Sequence, residues 1–448
     1  MKKPKILVCG ILDTKGKEIQ YLKERVIACG GEARILEISV GNEVGWADIP
    51  LGAVLAELGK KPSDITSLSR DKACDMVVEG AQKLVKKMYE AGDADGIIGY
   101  GGSMGASITT AIMQELPIGF PKLMLTTMAS GDIRPYIGTK DIAMMYPIAE
   151  AGLNSVTRQV LSRAAGGIVG MCNAAMPEEK EKKQLVGCMM FGVTTPCVLE
   201  ACSYFEKKDE FDIIINHAVG TGGRSMEEMI DDGFICGMLD ITTHELADER
   251  FGGVLPAGPN RLTAAARMGI PQVVSPGGME ILNFGPKDTV PERHMSKTHL
   301  PGKGLYVHNP NITCVGTSPD ECRELAKEIG EKLSKATAPT SIFVPMRGWS
   351  ATDLKEPNKD LGWSGPGAGP CWVEDESHPG WSLRSTEFLD ELKKHLDTSK
   401  DNIEIVVADL HLNQPEFGRL MAQVLEDMLK GTYKKGKYAN LDFIVETR

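Results

Sequence analysis

Four glycine-punctuated segments carry residue types suited to holding an anion. The first is Gly99–Ser107 (GYGGSMGAS), where Gly101, Gly102, Ser103 and Gly105 follow an apolar run and precede a helical pattern. Glycines let successive backbone N–H groups converge, and a helix behind them adds its N-terminal partial charge, so the segment reads as a phosphate or carboxylate seat. The alternative is a tight strand-to-helix turn that needs glycine for geometry alone. No Gly-Lys-Ser/Thr follows, which removes a Walker loop. The second segment is Gly10–Gly16 (GILDTKG). Thr14 can donate to a phosphate, Lys15 supplies charge, and Asp13 can face a magnesium ion or a ribose hydroxyl. Asp and Thr here also read as helix caps.

The third segment is Ser130–Ile142 (SGDIRPYIGTKDI) with Ser130, Gly131, Asp132 and Arg134. Arg134 can clamp a carboxylate or phosphate in bidentate fashion, with Asp132 orienting it or binding a metal. The alternative is an internal Arg–Asp pair that holds the loop. The fourth, Val219–Ser225 (VGTGGRS), repeats the first as a second nest built from Gly220, Thr221, Gly222, Gly223 and Arg224. Its alternative is again a glycine-rich turn.

Acid–base chemistry has one concentrated candidate. Asp240, His244 and Glu245 lie together in LDITTHELADE, Leu239–Glu249, although Thr243 there can equally cap a helix. Cys197 follows Thr195-Pro196 at a helix start, where a thiol can become a nucleophile or simply fill a core. No Gly-x-Ser-x-Gly elbow occurs, against an α/β-hydrolase. No ligand set has diagnostic metal spacing, so the metal ligands are unknown.

The elements that must position these residues alternate. Lys5–Gly10 and Ala33–Ile38 read as strands around a helix whose Ile19, Leu22, Val26 and Ile27 share a face. Asp95–Gly99 and Lys122–Thr127 continue the rhythm, with helices over about 71–91 and from Ala106 to Glu115 and a loop-rich stretch at 41–70. It restarts at Leu185–Met190, Phe211–His217 and Ile235–Leu239, with Met226, Met229 and Ile230 as a core stripe between. Gln272–Val274, Ile312–Val315, Ser341–Val344 and Ile403–Val407 are further strands. Strands alternating with helices imply an α/β fold of two domains with mainly parallel sheets, residues 1–180 and 181–448, and a ligand cleft between them. The charged MPEEKEKK near 176–184 marks the boundary, and a Trp/Gly/Pro-rich insertion near 348–382 reads as a lid or subunit contact.

The 448 residues are 42% hydrophobic and 25% charged, ordinary for a globular chain. A net charge of −11 argues against nucleic-acid or anionic-membrane partners. The 11 scattered cysteines, without a CxxC pair, suit a reducing cytoplasm. The N-terminal MKKPKILVCG reads as a first strand rather than a signal peptide, and no run approaches a transmembrane helix.

Many motifs occur in order over about residues 5–430. They include GILDTKG, YGGSMGAS, PKLMLTTMASGDIRPYIGTKDIAMMY, FGVTTPCV, GTGGRSMEEMI, GMLDITTHELADE, GGVLPAGPNRL and YVHNPNIT. Together they resemble the Tm-one-like ATP-binding family, a long-uncharacterised group (UPF0261) that includes a plant tomato mosaic virus resistance protein. The resemblance implies that both domains are Rossmann-like, with ATP as ligand, Mg2+ as its companion ion, a homodimer or higher homo-oligomer, and no established enzymatic activity. Carried over, Asp13, Thr14, Lys15, Gly101, Gly102, Ser103, Gly105, Ser130, Gly131, Asp132 and Arg134 become nucleotide-site candidates, with Gly220–Arg224 closing the cleft. The stretch at 361–382 departs from the family pattern by its length. The expectation is therefore an ATP-binding protein. The alternatives are an enzyme on a phosphorylated or carboxylated metabolite that uses Asp240, His244 and Glu245, and a non-catalytic ATP-dependent regulatory module.

Overall fold

The computed structural model describes residues 3–174, 183–300 and 302–448. It forms two compact units, Met1–Glu179 and Lys180–Arg448. The expected boundary at 180/181 lies outside the described residues.

Unit one is built on five parallel strands: β1 (Lys5–Gly10), β2 (Glu32–Glu37), β3 (Gly96–Gly101), β4 (Lys122–Thr126) and β5 (Ala143–Met145), in the order β2-β1-β3-β4-β5. In β1, Ile6 and Val8 enter one core while Leu7 and Cys9 enter the other. Successive side chains alternate between faces, and a strand covered on both must be apolar throughout. The helices Leu12–Ala28 and Ser155–Asn173 cover the first face through Ile19, Leu22, Val26, Leu161 and Ile168. The helices Arg70–Glu90 and Ser103–Gln114 cover the second through Val77, Val85, Ile108 and Ile112.

Three expectations change here. Ile27 is half-exposed, because the helical step that buries Val26 rotates its neighbour off the stripe. The stretch 41–70 contains two short helices, Leu51–Ala56 and Pro62–Ile65. The helix expected from Ala106 already begins at Ser103.

Unit two has a seven-stranded sheet of β6 (Gln184–Met190), β7 (Phe211–His217), β8 (Ile235–Thr242), β9 (Gln272–Gly277), β13 (Thr340–Pro345), β14 (Ile403–Ala408) and β15 (Ile444–Thr447). The order is β15-β14-β13-β9-β8-β6-β7, and only β15 pairs antiparallel. The expected strand at Ile312–Val315 belongs elsewhere. It is β12 (Ile312–Gly316), the centre of a small antiparallel sheet with β10 (Ile281–Phe284) and β11 (Leu305–Asn309). The core stripe Met226, Met229 and Ile230 is buried as expected.

The Trp-rich segment is part of this unit's own fold. Trp349 is fully buried and meets Phe388 edge-on at 5.3 Å. Trp381 Nε1 donates to Asp409 Oδ1 at 2.7 Å, and Trp363 Nε1 to the Gly367 carbonyl at 3.1 Å. Trp349 is thus core, not lid or subunit contact. Among the described residues, no helix is long and apolar enough to cross a membrane.

Candidate functional site

In unit one, β1 is followed by β2 on one side and β3 on the other. Where strand order reverses in a parallel sheet, the loops leaving the two strands diverge and open a crevice at their carboxyl ends. A cavity of about 620 Å³ lies there. Asp13, Thr14, Lys15, Gly101, Gly102, Ser103 and Gly105 all line it. Two sequence segments 86 residues apart, counted from Lys15 to Gly101, therefore meet at one place.

Each wall has a local cause. Ile11 starts the first helix, and Thr14 Oγ1 donates back to its carbonyl at 3.4 Å. Lys15 departs from helical geometry (φ −124°), and its ammonium donates to the Glu150 carbonyl at 2.8 Å. The Lys15 Nζ also lies 3.8 Å from Glu150 Oε1. On the glycine turn, a Cβ at Gly101 would sit 3.0 Å from Gly105 Cα, tighter than side chains ordinarily pack, so a larger residue would push the turn open by some tenths of an ångström. Gly102 is the N-cap of Ser103–Gln114 and offers no side-chain acceptor to the first-turn N–H groups. Such a helix start carries partial positive charge.

The third wall was not legible in advance. The buried Glu37 carboxylate accepts from Val44 N at 3.0 Å and Leu51 N at 3.3 Å, folding the loop after β2. That loop brings Val40, Gly41 and Asn42 to the cavity, while Arg70, Thr66 and Glu150 arrive from further along the chain. A second cavity of about 930 Å³ shares Asp13 and Thr14 and is lined by Trp46, Tyr21 and Arg158.

Ser130, Gly131, Asp132 and Arg134 do not line the main cavity. Arg134 Nε and Nη2 donate to Asp132 Oδ1 at 2.9 Å and Oδ2 at 2.7 Å, and Ser130 Oγ donates to the Thr127 carbonyl at 2.9 Å. The Arg134 hydrogen bond holds the Asp132 carboxyl down at about 2. This is the internal pair named above as the alternative.

The sequence model of the uncharacterised protein family UPF0261 matches twice, its N-terminal domain over residues 4–177 and its C-terminal domain over 183–360. A UPF0261 protein of Clostridium tetani is 38% identical over 95% of this chain and 99% of its own length. The chain belongs to UPF0261. The tomato (Solanum lycopersicum) ToMV resistance protein Tm-1 is 31% identical over 93% of this chain, which spans 55% of that protein. The tomato ToMV susceptible protein tm-1 aligns almost equally, at 30% over 95%. Among solved structures, a putative UDP-N-acetylglucosamine 2-epimerase from Listeria monocytogenes aligns over 61% of this chain and 79% of its own, at 11% identity and a TM-score of 0.20.

The second nest falls in the UPF0261 C-terminal domain and already holds an anion of the protein's own. Gly220 N and Gly223 N donate to Glu245 Oε1 at 2.6 and 3.1 Å. Glu245 Oε2 accepts from Arg261 Nε at 2.8 Å. Asp240 grips the same guanidinium at 2.5 and 2.6 Å, with Glu227 at 3.5 Å. All four side chains are buried. Burial pushes the Asp240 carboxyl up and Arg261 opposes it, while Asp240, Glu245 and Glu227 hold Arg261 above its ordinary value against burial. A Cβ on Gly222 would strike the His217 carbonyl, so this glycine answers to packing. Arg224, partnered by Thr221 Oγ1 at 3.4 Å and the Pro256 carbonyl at 3.3 Å, stays at the surface.

The acid–base trio is corrected on the same grounds. His244 is buried against Phe191 (ring centroids 4.3 Å), and its Nε2 contacts the Ala218 carbonyl. Burial lowers it to about 4. Asp240 and Glu245 share Arg261, while His244 meets Asn283 Nδ2 at 3.4 Å and the Ala218 carbonyl instead, and all three are buried. Cys197 is buried too, and burial pushes its thiol up, away from nucleophilic use. Among the described residues, no group of three His, Cys, Asp or Glu is placed to hold a metal.

Proposed function

We propose that the N-terminal unit of this UPF0261 protein binds a nucleotide, ATP first among candidates, with its phosphates on the Gly101–Gly105 turn. One observation carries the reading. Asp13–Lys15 and Gly101–Gly105 line one cavity at the sheet's switch point, beside a helix start with no side-chain cap. Its volume of about 620 Å³ suits a small molecule. Lys15 and Arg70 supply positive charge, and Asp13 is the carboxylate for a phosphate-bound Mg2+. The ligand is placed within unit one; Gly220–Arg224 and Arg134 have no part in it. No reaction is proposed, since Asp240, His244 and Glu245 are turned inward. We extend the proposal to a cytoplasmic homodimer, which light scattering with and without ATP would measure.

Calorimetric titration of the purified chain with ATP, with and without Mg2+, tests the reading beside Gly102→Asp. A Cβ at Gly102 would come within 2.7 Å of Glu150 Oε1, so the variant adds bulk and charge on the turn. Binding by the wild type that the variant loses supports the proposal. A wild type that binds no nucleotide overturns it.

A further inference from the structure

We propose that Glu150 is a built-in competitor for the phosphate seat and weakens the binding of anions the more negative charge they carry. The inference rests on the nucleotide reading above. Glu150 Oε1 lies 2.7 Å from where a Gly102 Cβ would stand, so this carboxylate rests on the glycine turn itself. It is also 3.8 Å from Lys15 Nζ, the one ammonium among the cavity's lining residues. The protein's own anion therefore occupies ground that a ligand phosphate would need.

The backbone beneath that carboxylate is held hard. Its carbonyl accepts from Lys15 Nζ at 2.8 Å and from Tyr100 OH at 2.7 Å. Two residues on, Gly152 N donates to Glu18 Oε1 at 2.6 Å. Two residues before it, Ile148 has φ +69°, a conformation that a β-branched residue keeps only when its surroundings impose it. The Glu150 side chain, by contrast, is 63% exposed. A fixed backbone with an exposed carboxylate means that the acid can swing off the turn by side-chain rotation, with Lys15 and Tyr100 still holding its carbonyl.

The chemical consequence is a graded penalty. A ligand with several negative charges has to turn Glu150 out before it can use Lys15 and the helix start, and it is repelled most by the carboxylate. A singly charged ligand is repelled less, and a neutral one not at all. Glu150 thus holds down the affinity of the seat for anions in proportion to their charge.

The test is titration of full-length wild type and Glu150→Gln with ATP, AMP and adenosine in buffer containing EDTA. Glutamine keeps the backbone contacts and the size and removes the charge, and coincident thermal melts check the fold. The expected result is ATP binding tightened roughly tenfold in Glu150→Gln, the order expected for removing one like charge at partly screened range, with a smaller gain for AMP and none for adenosine. Unchanged or weaker ATP binding in Glu150→Gln, with binding intact in the wild type, overturns this inference and leaves the nucleotide reading standing. A wild type that binds none of the three overturns both.

Discussion

The two glycine turns, Gly99–Ser107 and Val219–Ser225, share a grammar of strand, glycines and helix, yet they differ in what stands before them. Before the first is a cavity with Lys15 on its wall. Before the second is the buried carboxylate of Glu245, fixed by Arg261. The sheets repeat the contrast. At the first switch point, between β1 and β3, the loops part around open space. At the second, between β6 and β8, Phe191 packs on His244, and Thr194 Oγ1 bonds Thr242 Oγ1 at 2.7 Å. Residue types on a turn specify that an anion fits there. They do not specify whether the anion comes from a ligand or from a residue some 25 positions along the chain.

The largest test of this difference is Arg261→Ala. It leaves Asp240, Glu245 and Glu227 buried without their cation, and breaking a buried pair on one side costs about 3–5 kcal/mol. Chemical denaturation followed by tryptophan emission reads it, since Trp349, Trp363, Trp372 and Trp381 all lie in unit two and only Trp46 in unit one. A midpoint equal to the wild type would mean that the cluster is not what fills the second turn.

Acid should separate the units next, because all eight histidines lie in unit two. His411 is buried, its Nε2 donating to the Ser350 carbonyl at 3.0 Å and its Nδ1 accepting from Asn413 N at 3.1 Å. Burial lowers it to about 4. A histidine whose folded value lies below its unfolded one stabilises the fold while neutral. That contribution is complete above about pH 6.5 and is lost as the pH falls towards about 4, at most roughly 3 kcal/mol. Asp248 and Glu280, both raised to about 7 chiefly by burial, work in the opposite sense over the same range. The observable is therefore the difference between wild type and His411→Asn, in which the carboxyl contributions cancel. The wild type's advantage should shrink from pH 6.5 to pH 4; a constant difference would remove His411 from the pH response.

On the first turn the matching change is Lys15→Ala. Losing one charged hydrogen bond to a phosphate costs on the order of 1.5–3 kcal/mol of binding. The midpoint of unit-two unfolding should not move. Calorimetry with ATP measures the first and the tryptophan melt the second; lost stability without lost affinity would reverse the assignment.

Most of the fold and about half of the site could be read before any coordinates. Strands such as β1 and β3 announce themselves as apolar runs ending in glycine, since burial on both faces leaves no polar position. β11 (LYVHN) does not, because its last three residues, Val307, His308 and Asn309, are exposed, which leaves no buried apolar run. Likewise Asp13–Lys15 and the glycine turn are legible as local patterns. Arg70, Asn42 and Glu150 are not, because only the topology brings them to the cavity; Glu150 reaches Lys15 across 135 residues. The filled second turn was illegible for the same reason: whether Glu245 faces outward as an acid or inward as a partner is decided by Arg261, which no local motif connects to it.

The smallest expected effect belongs to Arg134→Ala, and it is the most discriminating for reading loops by type. By sequence, Arg134 is as good a phosphate clamp as any in the chain. In the fold, its fork is taken by Asp132 two residues away, on an exposed loop outside the cavity lining. An exposed ion pair exchanges one solvated arrangement for another and is screened by salt, so its loss should be hard to detect in stability. Nucleotide affinity should also match the wild type within error. If Arg134→Ala instead weakens ATP binding as much as Lys15→Ala does, the Asp132 pair must open on ligand binding. The phosphate seat would then reach beyond the cavity at the switch point, and the contrast between an open turn and a filled one would have to include this third loop as a partner that closes only around the ligand.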